Sequence, residues 1–224
     1  MMKRPSKPKP KTHTLLVDGE NLLKIGFYVN KSVNNENGRV KAIYHFINTI
    51  RKIYTNFAVT KVIVFWEGEH SRDLRRKHYP EYKANRGGID EDISLDLNRQ
   101  RLRIRQYLEE LYIRQVIIDE CEADDNIALY CQMATHEQKI ILSADRDLLQ
   151  LLSEHTSCYL PDKQVLVTPN NFADHFDYYY KNIGIVKIIG GDPADNICGI
   201  NGVGAKTVLK LFPEMKTQEV TLEW

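Results

Sequence analysis

Between residues 121 and 147 the chain carries five carboxylates in two short clusters, Cys121-Glu122-Ala123-Asp124-Asp125 and Ser143-Ala144-Asp145-Arg146-Asp147. Each cluster follows an apolar run and opens what reads as a helix, so the acids sit at the ends of two neighbouring strand–helix units. Carboxylates this close repel, and each raises its neighbours' pKa unless a cation lies among them. Oxygen ligands at such density suit a hard ion, Mg²⁺ or Mn²⁺, rather than a soft metal. Acids in a helix's first turn also serve as caps and dipole partners. That role accounts for one or two of the first three and for one of the second pair, not for all of them.

The elements that must position these acids repeat one pattern. Thr14-Leu15-Leu16-Val17 reads as a buried strand ending in Asp18-Gly19, and Val62-Ile63-Val64-Phe65-Trp66 as another ending in Glu67-Gly68. Val116-Ile117-Ile118 leads to Glu122, and Lys139-Ile140-Ile141-Leu142 leads to Asp145. Asp-Gly alone is ordinary turn chemistry. The recurrence of strand, acid and helix argues instead for a parallel sheet with helices on both faces. Right-handed crossovers bring the carboxyl ends of its strands to one edge, where α/β folds place ligands. Asp18, Glu67, Glu122, Asp124, Asp145, Asp147 and Asp192 can then converge from distant parts of the sequence.

Between these units, residues 39–57 place Val40, Ile43, Phe46, Ile47, Ile50, Ile53, Tyr54 and Phe57 at helical spacing, which predicts a packing helix. Ser94 to Tyr112 reads as a long helix with Leu102, Leu108 and Leu111 inward. The helix after Glu122 is expected to turn Ile127, Ala128, Cys131 and Ala134 inward. Residues 158–160 and 165–167 flank Pro161-Asp162-Lys163-Gln164 as a hairpin, and Thr168-Pro169 reads as a helix start.

With 224 residues, 42% hydrophobic and 27% charged, the chain suits one large α/β domain or one domain with a small appendage. It has no apolar run of membrane-spanning length and no signal-type segment. The four cysteines, Cys121, Cys131, Cys158 and Cys198, show neither a CxxC pair nor zinc spacing, and read as buried or idle thiols in a reducing cytoplasm. The net charge of +1 conceals an asymmetry. If the seven acids named above line one pocket, the remaining surface carries about +8, which suits a polyanion.

The basic groups concentrate in residues 71–105, where Arg72, Arg75, Arg76, Lys77, Lys83, Arg86, Arg99, Arg101, Arg103 and Arg105 surround Tyr79 and Tyr82. Cations beside aromatics suit a phosphate backbone with stackable bases. A solvated helical face balanced by Glu81, Glu91 and Asp92 reads equally well. Further on, Gly190-Gly191-Asp192-Pro193-Ala194-Asp195-Asn196 precedes Ile200-Asn201-Gly202-Val203-Gly204-Ala205-Lys206-Thr207. Two glycines spaced by one residue before a helix expose backbone N–H groups to an anion. Their spacing matches neither a P-loop nor a dinucleotide fingerprint.

Five segments in order, LLVDGENLL at 15–23, PEYKANR at 80–86, ECEADDNIA at 120–128, ILSADRDLLQLL at 141–152 and IIGGDPADNICGINGVGAKTVLKLF at 188–212, carry a resemblance. The chain resembles the flap endonuclease/5′-nuclease family in its phage and bacterial branch, which includes the 5′-nuclease domain of bacterial DNA polymerase I. The resemblance runs from residue 14 over nearly the whole chain. It implies a PIN-like nuclease domain over 14–180 with a helical arch at about 68–105; residues 1–13 before it, basic and Pro-rich, read as a disordered tail. It also implies a helix–two-turn–helix duplex-binding region over 181–224, shortened relative to the family.

The resemblance further implies roles for matching residues. Asp18, Glu122 and Asp124 would hold one metal ion; Asp145, Asp147 and Asp192 would hold a second, with Asp125 and Asp195 as nearby acids. Glu67 stands where the family usually has Asp, and its longer side chain can still reach the metal directly or through water. Lys83 and Arg86 would reach the scissile phosphate, and Tyr82 would stack near the reacting nucleotide. Gly202, Gly204 and Lys206 would grip duplex backbone without reading sequence, with K⁺ at that motif. Arg72, Arg75 and Arg76 are further candidate nucleic-acid contacts.

The expected activity is Mg²⁺-dependent phosphodiester hydrolysis by two metal ions, Mn²⁺ being able to substitute. The substrates would be 5′ flaps, nicked or gapped duplex, or RNA primers on DNA. Expected partners are DNA or an RNA–DNA hybrid, with a replication polymerase or single-strand-binding protein as candidates. The expected setting is a monomer in a bacterial or phage-infected cytoplasm, away from membranes. Two other readings stand beside this one. A non-catalytic relative that binds branched DNA would need several altered ligands, and only Glu67 is altered. A PIN-type ribonuclease shares the acidic pocket but leaves the basic segment and GINGVGAKT unexplained.

Overall fold

The computed structural model describes residues 12–28, 40–88 and 90–221. The basic stretch 1–11 lies outside the described residues. Six strands form one sheet in the order β3-β2-β1-β4-β5-β6. They are β1 (His13–Asp18), β2 (Val59–Glu67), β3 (Arg114–Ile118), β4 (Lys139–Leu142), β5 (Thr156–Leu160) and β6 (Val165–Val167). All neighbours pair in parallel except β5 and β6, the antiparallel hairpin expected around Pro161. The central strands are apolar because both faces are covered. Leu15, Val17, Val64, Trp66, Ile140 and Leu142 point into one core, and Leu16, Ile63, Phe65 and Ile141 into the other.

The first core is closed by α1 (Gly19–Tyr28), α2 (Lys41–Asn56) and α4 (Glu91–Glu110), the second by α5 (Ala123–Met133) and the 3₁₀ turn Arg146–Leu151. Between β2 and α4 lies α3 (Asp73–His78) and then a loop. α6 (Ile183–Gly190) and α7 (Ala205–Leu211) meet over a small third core of Val186, Val208, Leu209 and Met215. Buried Asn182 fastens this end: its Nδ2 donates to Met215 O and Gln218 O, and its Oδ1 accepts from Val220 N. No helix among the described residues is long and apolar enough to cross a membrane. All four cysteines are unpaired.

Several sequence expectations shift. α4 begins three residues earlier than the apolar spacing indicates, because Asp90 caps it by accepting from Asp92 N and Ile93 N. Its inner face is Leu97, Gln100, Ile104 and Leu108, while Leu102 and Leu111 face solvent. Val40, just before α2, and Tyr54 within it are likewise exposed. On α5 the buried face is Ala123, Asn126 and Ile127, with Ala128, Cys131 and Ala134 only half-buried. Thr168-Pro169 opens a turn rather than a helix. Asn171 Oδ1 accepts from both Thr168 N and Thr168 Oγ1, and its Nδ2 donates to Leu166 O, so the side chain folds the backbone back on itself. Only the short 3₁₀ turn Phe172–Asp174 follows.

Candidate metal and nucleic-acid site

The parallel register fixes the site's floor. Sheet order reverses at β1, which pairs with β2 on one side and β4 on the other. At that switch point the loops after β1 and β4 diverge and leave a crevice. Asp18 ends β1 at the level of Phe65, and Ser143 to Asp147 follow β4 directly. The glycines after both strand-end acids have one steric reason. A Cβ on Gly19 would stand 2.6 Å from the Trp66 ring, and one on Gly68 2.0 Å from Ile118 O. Only glycine lets the chain leave the sheet this tightly at these two acids.

Asp18 is buried, accepting from Asn21 N at 3.0 Å and Ser143 Oγ at 2.9 Å. Burial pushes its carboxyl up to about 7; those two hydrogen bonds oppose the rise, while the charges of Asp145 and Asp124 add to it. Glu122 caps α5 in a reciprocal box with Asp125, which accepts from Glu122 N. Three donors converge on the buried Glu122 carboxylate: Lys83 Nζ at 2.7 Å, Tyr82 Oη at 2.8 Å and Arg75 Nη1 at 2.5 Å. Burial alone would raise its pKa, but the bonds from Lys83 and Tyr82 and the charges of Lys83 and Arg75 outweigh it and hold Glu122 below the usual range. Asp124 lacks such donors, and burial, then the charges of Glu122 and Asp125, push it up to about 6. Arg75 also grips Asp125 with two nitrogens, at 2.8 and 2.9 Å.

On the other side, Asp145 caps the 3₁₀ turn by accepting from Asp147 N. Lys187 of α6 reaches into the same place and pairs with both Asp147 and Asp192, at 2.5 Å from the latter. Asp192 also accepts from Ala194 N at 3.0 Å. Burial raises the Asp147 carboxyl despite the Lys187 bond, whereas that bond and the lysine's charge outweigh burial at Asp192 and lower it.

Two sets of acids can each bring oxygen atoms within 4.8 Å of one another: Glu122, Asp124 and Asp125, and Asp147, Asp192 and Asp195. Asp125 falls in the first set and Asp195 in the second. Asp18 and Asp145 belong to neither set but line a cavity of about 160 Å³ with Glu122 and Asp124. Lys83 joins the sets, its ammonium lying 2.7 Å from Glu122 and 3.8 Å from Asp195. The donor chemistry fits hard divalent cations: all-oxygen groups, with Asp18 and Asp124 raised where no side-chain cation of the chain bonds to them and Asp147 raised despite Lys187.

Glu67 lies apart. Pairing Asp18 with Phe65 leaves Glu67 two residues further along its strand, roughly 6–7 Å. It sits between Lys24 at 3.8 Å and Arg72 at 3.7 Å, on the rim of the same cavity. Arg86 lines that cavity too. Tyr82 is buried, with its hydroxyl on Glu122 and its ring under Lys83 and Arg75 at 4.7 and 5.5 Å. Arg76 directs Nε at Tyr82 O, and Lys206 is exposed near open space at Gly202 and Gly204. A wider cleft of about 970 Å³ opens beside the acids, walled by Leu74, Tyr79, Leu148, Leu151 and Ile197.

Sequence reasoning missed one cation of the site and misplaced another. Lys187 precedes Asp192 by five residues, but in an apolar helix nothing marks it as site-facing. Arg101 reads as part of the basic segment, yet it holds buried Glu20 at 2.7 and 2.9 Å and is spent inside the fold.

Comparisons with known proteins bear on the family and the fold. The model of the N-terminal resolvase-like domain of 5′-3′ exonucleases matches residues 13–177. The chain is 34% identical over 222 residues to a 5′-3′ exonuclease of Halalkalibacterium halodurans, covering 93% of this chain and 72% of that protein. It is 31% identical over 218 residues to the thermostable DNA polymerase I of Thermus thermophilus, covering 96% of this chain and 25% of the polymerase. Among solved structures, the T5 5′-exonuclease with bound zinc ions aligns with a TM-score of 0.74 at 25% identity, over 91% of this chain and 75% of that one.

Proposed function

Because the chain belongs to the 5′-3′ exonuclease family, we propose that it is a structure-selective 5′-nuclease. It hydrolyses phosphodiester bonds at 5′ flaps, nicks or RNA primers in DNA, with Mg²⁺ as its metal. The observation that carries this reading is the gathering of two acid sets around one cationic residue, Lys83, at the switch point of a parallel sheet. Glu122, Asp124 and Asp125 would hold one ion and Asp147, Asp192 and Asp195 the other, with Asp18 and Asp145 on the shared wall. When bound, such ions supply Lewis-acid charge and lower the pKa of water.

The chain's own residues then do the positioning. Lys83 and Arg86 offset negative charge on the phosphate being cleaved. In reaching it, Lys83 exchanges its bond with Glu122 for one with phosphate. Burial and neighbouring Glu122 keep the Tyr82 phenol protonated, so it goes on donating to Glu122 and fixes that carboxylate's orientation. Arg72 and Lys24 stand at the rim to meet phosphates beside the cleaved one. Gly202, Gly204 and Lys206 would hold duplex backbone in the helix–two-turn–helix manner, with K⁺ at the turn.

The test is cleavage of a labelled 5′-flap duplex with product mapping. Asp124→Ala is expected to lower cleavage by on the order of 10³-fold or more while leaving binding largely intact. Retained cleavage in that variant would sink the two-metal reading.

A further inference from the structure

The loop that carries Lys83 and Arg86 is fastened to the turn that carries Asp192 and Asp195. Tyr79 Oη donates to Asn196 O at 2.7 Å, and Asn196 Nδ2 donates back to Glu81 O at 2.9 Å. Lys83 N donates to Asp195 O at 3.2 Å, and Asn85 Nδ2 to Pro193 O at 2.6 Å. Arg86 adds bonds to Ala194 O and Asp195 Oδ1, both at 3.3 Å. These partners lie more than 100 residues apart in sequence, and the contact is one continuous seam. Both sides of it hold a non-glycine residue in the left-handed region, Lys83 at φ 54° and Asn196 at φ 64°. Side chains resist that conformation, and it persists where surrounding contacts over-determine it.

The turn is itself closed, since Asp192 and Ile197 exchange both backbone hydrogen bonds. It is also packed onto the glycine-rich stretch that follows. Gly199 lies so close that a Cβ there would stand 2.3 Å from Gly191 N. The loop, the turn and the start of the 199–204 stretch therefore form one contiguous block.

We propose that Tyr79 and Asn196 are positioning residues: by latching loop 79–86 to turn 192–196 they hold Lys83 and Arg86 in register with both acid sets. This rests on the reading of Lys83 as a phosphate contact. Neither latch residue touches an acid of the two sets through its side chain, so each acts through Lys83 and Arg86. The latch also puts the glycine-rich stretch in mechanical contact with the cations, so that a duplex seated there presents its scissile phosphate to a loop already in place.

The test uses the full chain and single-turnover cleavage of a 5′-flap duplex. Tyr79→Phe removes one hydroxyl, and Asn196→Gly removes the side-chain bond while tolerating the positive φ. Each is expected to lower the cleavage rate about tenfold with substrate binding within about twofold of wild type, the signature of lost orientation rather than lost affinity. In a Lys83→Ala, Arg86→Ala background, adding Tyr79→Phe should change the residual rate by less than about twofold, because both residues it positions are gone. Wild-type rates in both single variants would overturn the latch, as would an equal, additive loss in the background lacking both Lys83 and Arg86. Full activity in Lys83→Ala itself would overturn the underlying reading instead, and the latch with it.

Discussion

The two acid sets are built alike and governed differently. In each, one carboxylate is held below its usual range by a lysine, Glu122 by Lys83 and Asp192 by Lys187. In each, another is pushed up, Asp124 and Asp147. The source of the cation is what separates them. The cations of the first set, Arg75 and Lys83, come from the segment between β2 and α4, with the hydroxyl of Tyr82 beside them. In the second, the cation between Asp147 and Asp192 comes from α6, a helix packed against α7, and only Asp195 is met from the loop, by Arg86 and Lys83. The first set can lose its partners when that segment turns to a substrate. The second keeps its partner until something displaces Lys187 where it stands. A pair of similar sites thus divides between a substrate-facing half and a scaffold-facing half.

The strongest way to break this comparison is the pH dependence of stability without metal. Asp18 is raised to about 7 and Asp124 to about 6, both above their unfolded values. The folded state therefore binds more protons than the unfolded one between about pH 4 and 7. Their contribution is complete below the unfolded pKa and is lost as pH rises through the folded values. Glu122 and Asp192, shifted down, act in the opposite sense but only below about pH 4.5. Denaturation in a chelating buffer should show stability falling by on the order of a few kcal/mol from pH 4.5 to 7.5. Asp18→Asn should flatten that slope, and an unchanged slope in the variant would refute the assignment to Asp18.

A smaller effect sharpens the scaffold half. Lys187→Met leaves Asp147 and Asp192 facing each other without their ammonium. Loss of about 1–2 kcal/mol is expected in metal-free protein, less than for a fully buried pair because a third of the Lys187 side chain is exposed. Added Mg²⁺ should restore most of it, read as a urea midpoint. A midpoint equal to wild type without metal would show that the second set needs no cation.

The smallest expected effect concerns Glu67. It lies outside both sets and shares its charge with Lys24 and Arg72, so Glu67→Asp should alter the cleavage rate by less than about threefold. A gain of an order of magnitude would mean that Glu67 holds the metal poorly from a position the sets do not reveal.

Much of this was legible in the chain itself. Apolar runs such as Leu15-Leu16-Val17 and Ile140-Ile141-Leu142 announce strands covered on both faces, since only such strands lack a polar alternation. Each ends in an acid, and a parallel sheet has one edge on which those ends can meet. The acids at 18, 122, 124, 145, 147 and 192 could be paired with that edge before any contact was known. The inner face of α4 was less legible, because Gln100 and not Leu102 turns inward. Gln100 is buried to accept from Ala42 N and to donate to Asp96, needs that no hydrophobic count contains.

Sequence by itself determined the sheet, its covered faces and the edge on which the acids gather, because those follow from local polarity and period. Tertiary structure alone decided how the acids divide, which cations they keep and which loop is tied to which turn. Lys187, Arg75, Tyr79 and Asn196 gain their roles from partners 40 or more residues away or from a helix's direction of approach. Electrostatic and hydrogen-bond partnerships of that kind depend on distances of a few ångströms, and residue order carries no such distances.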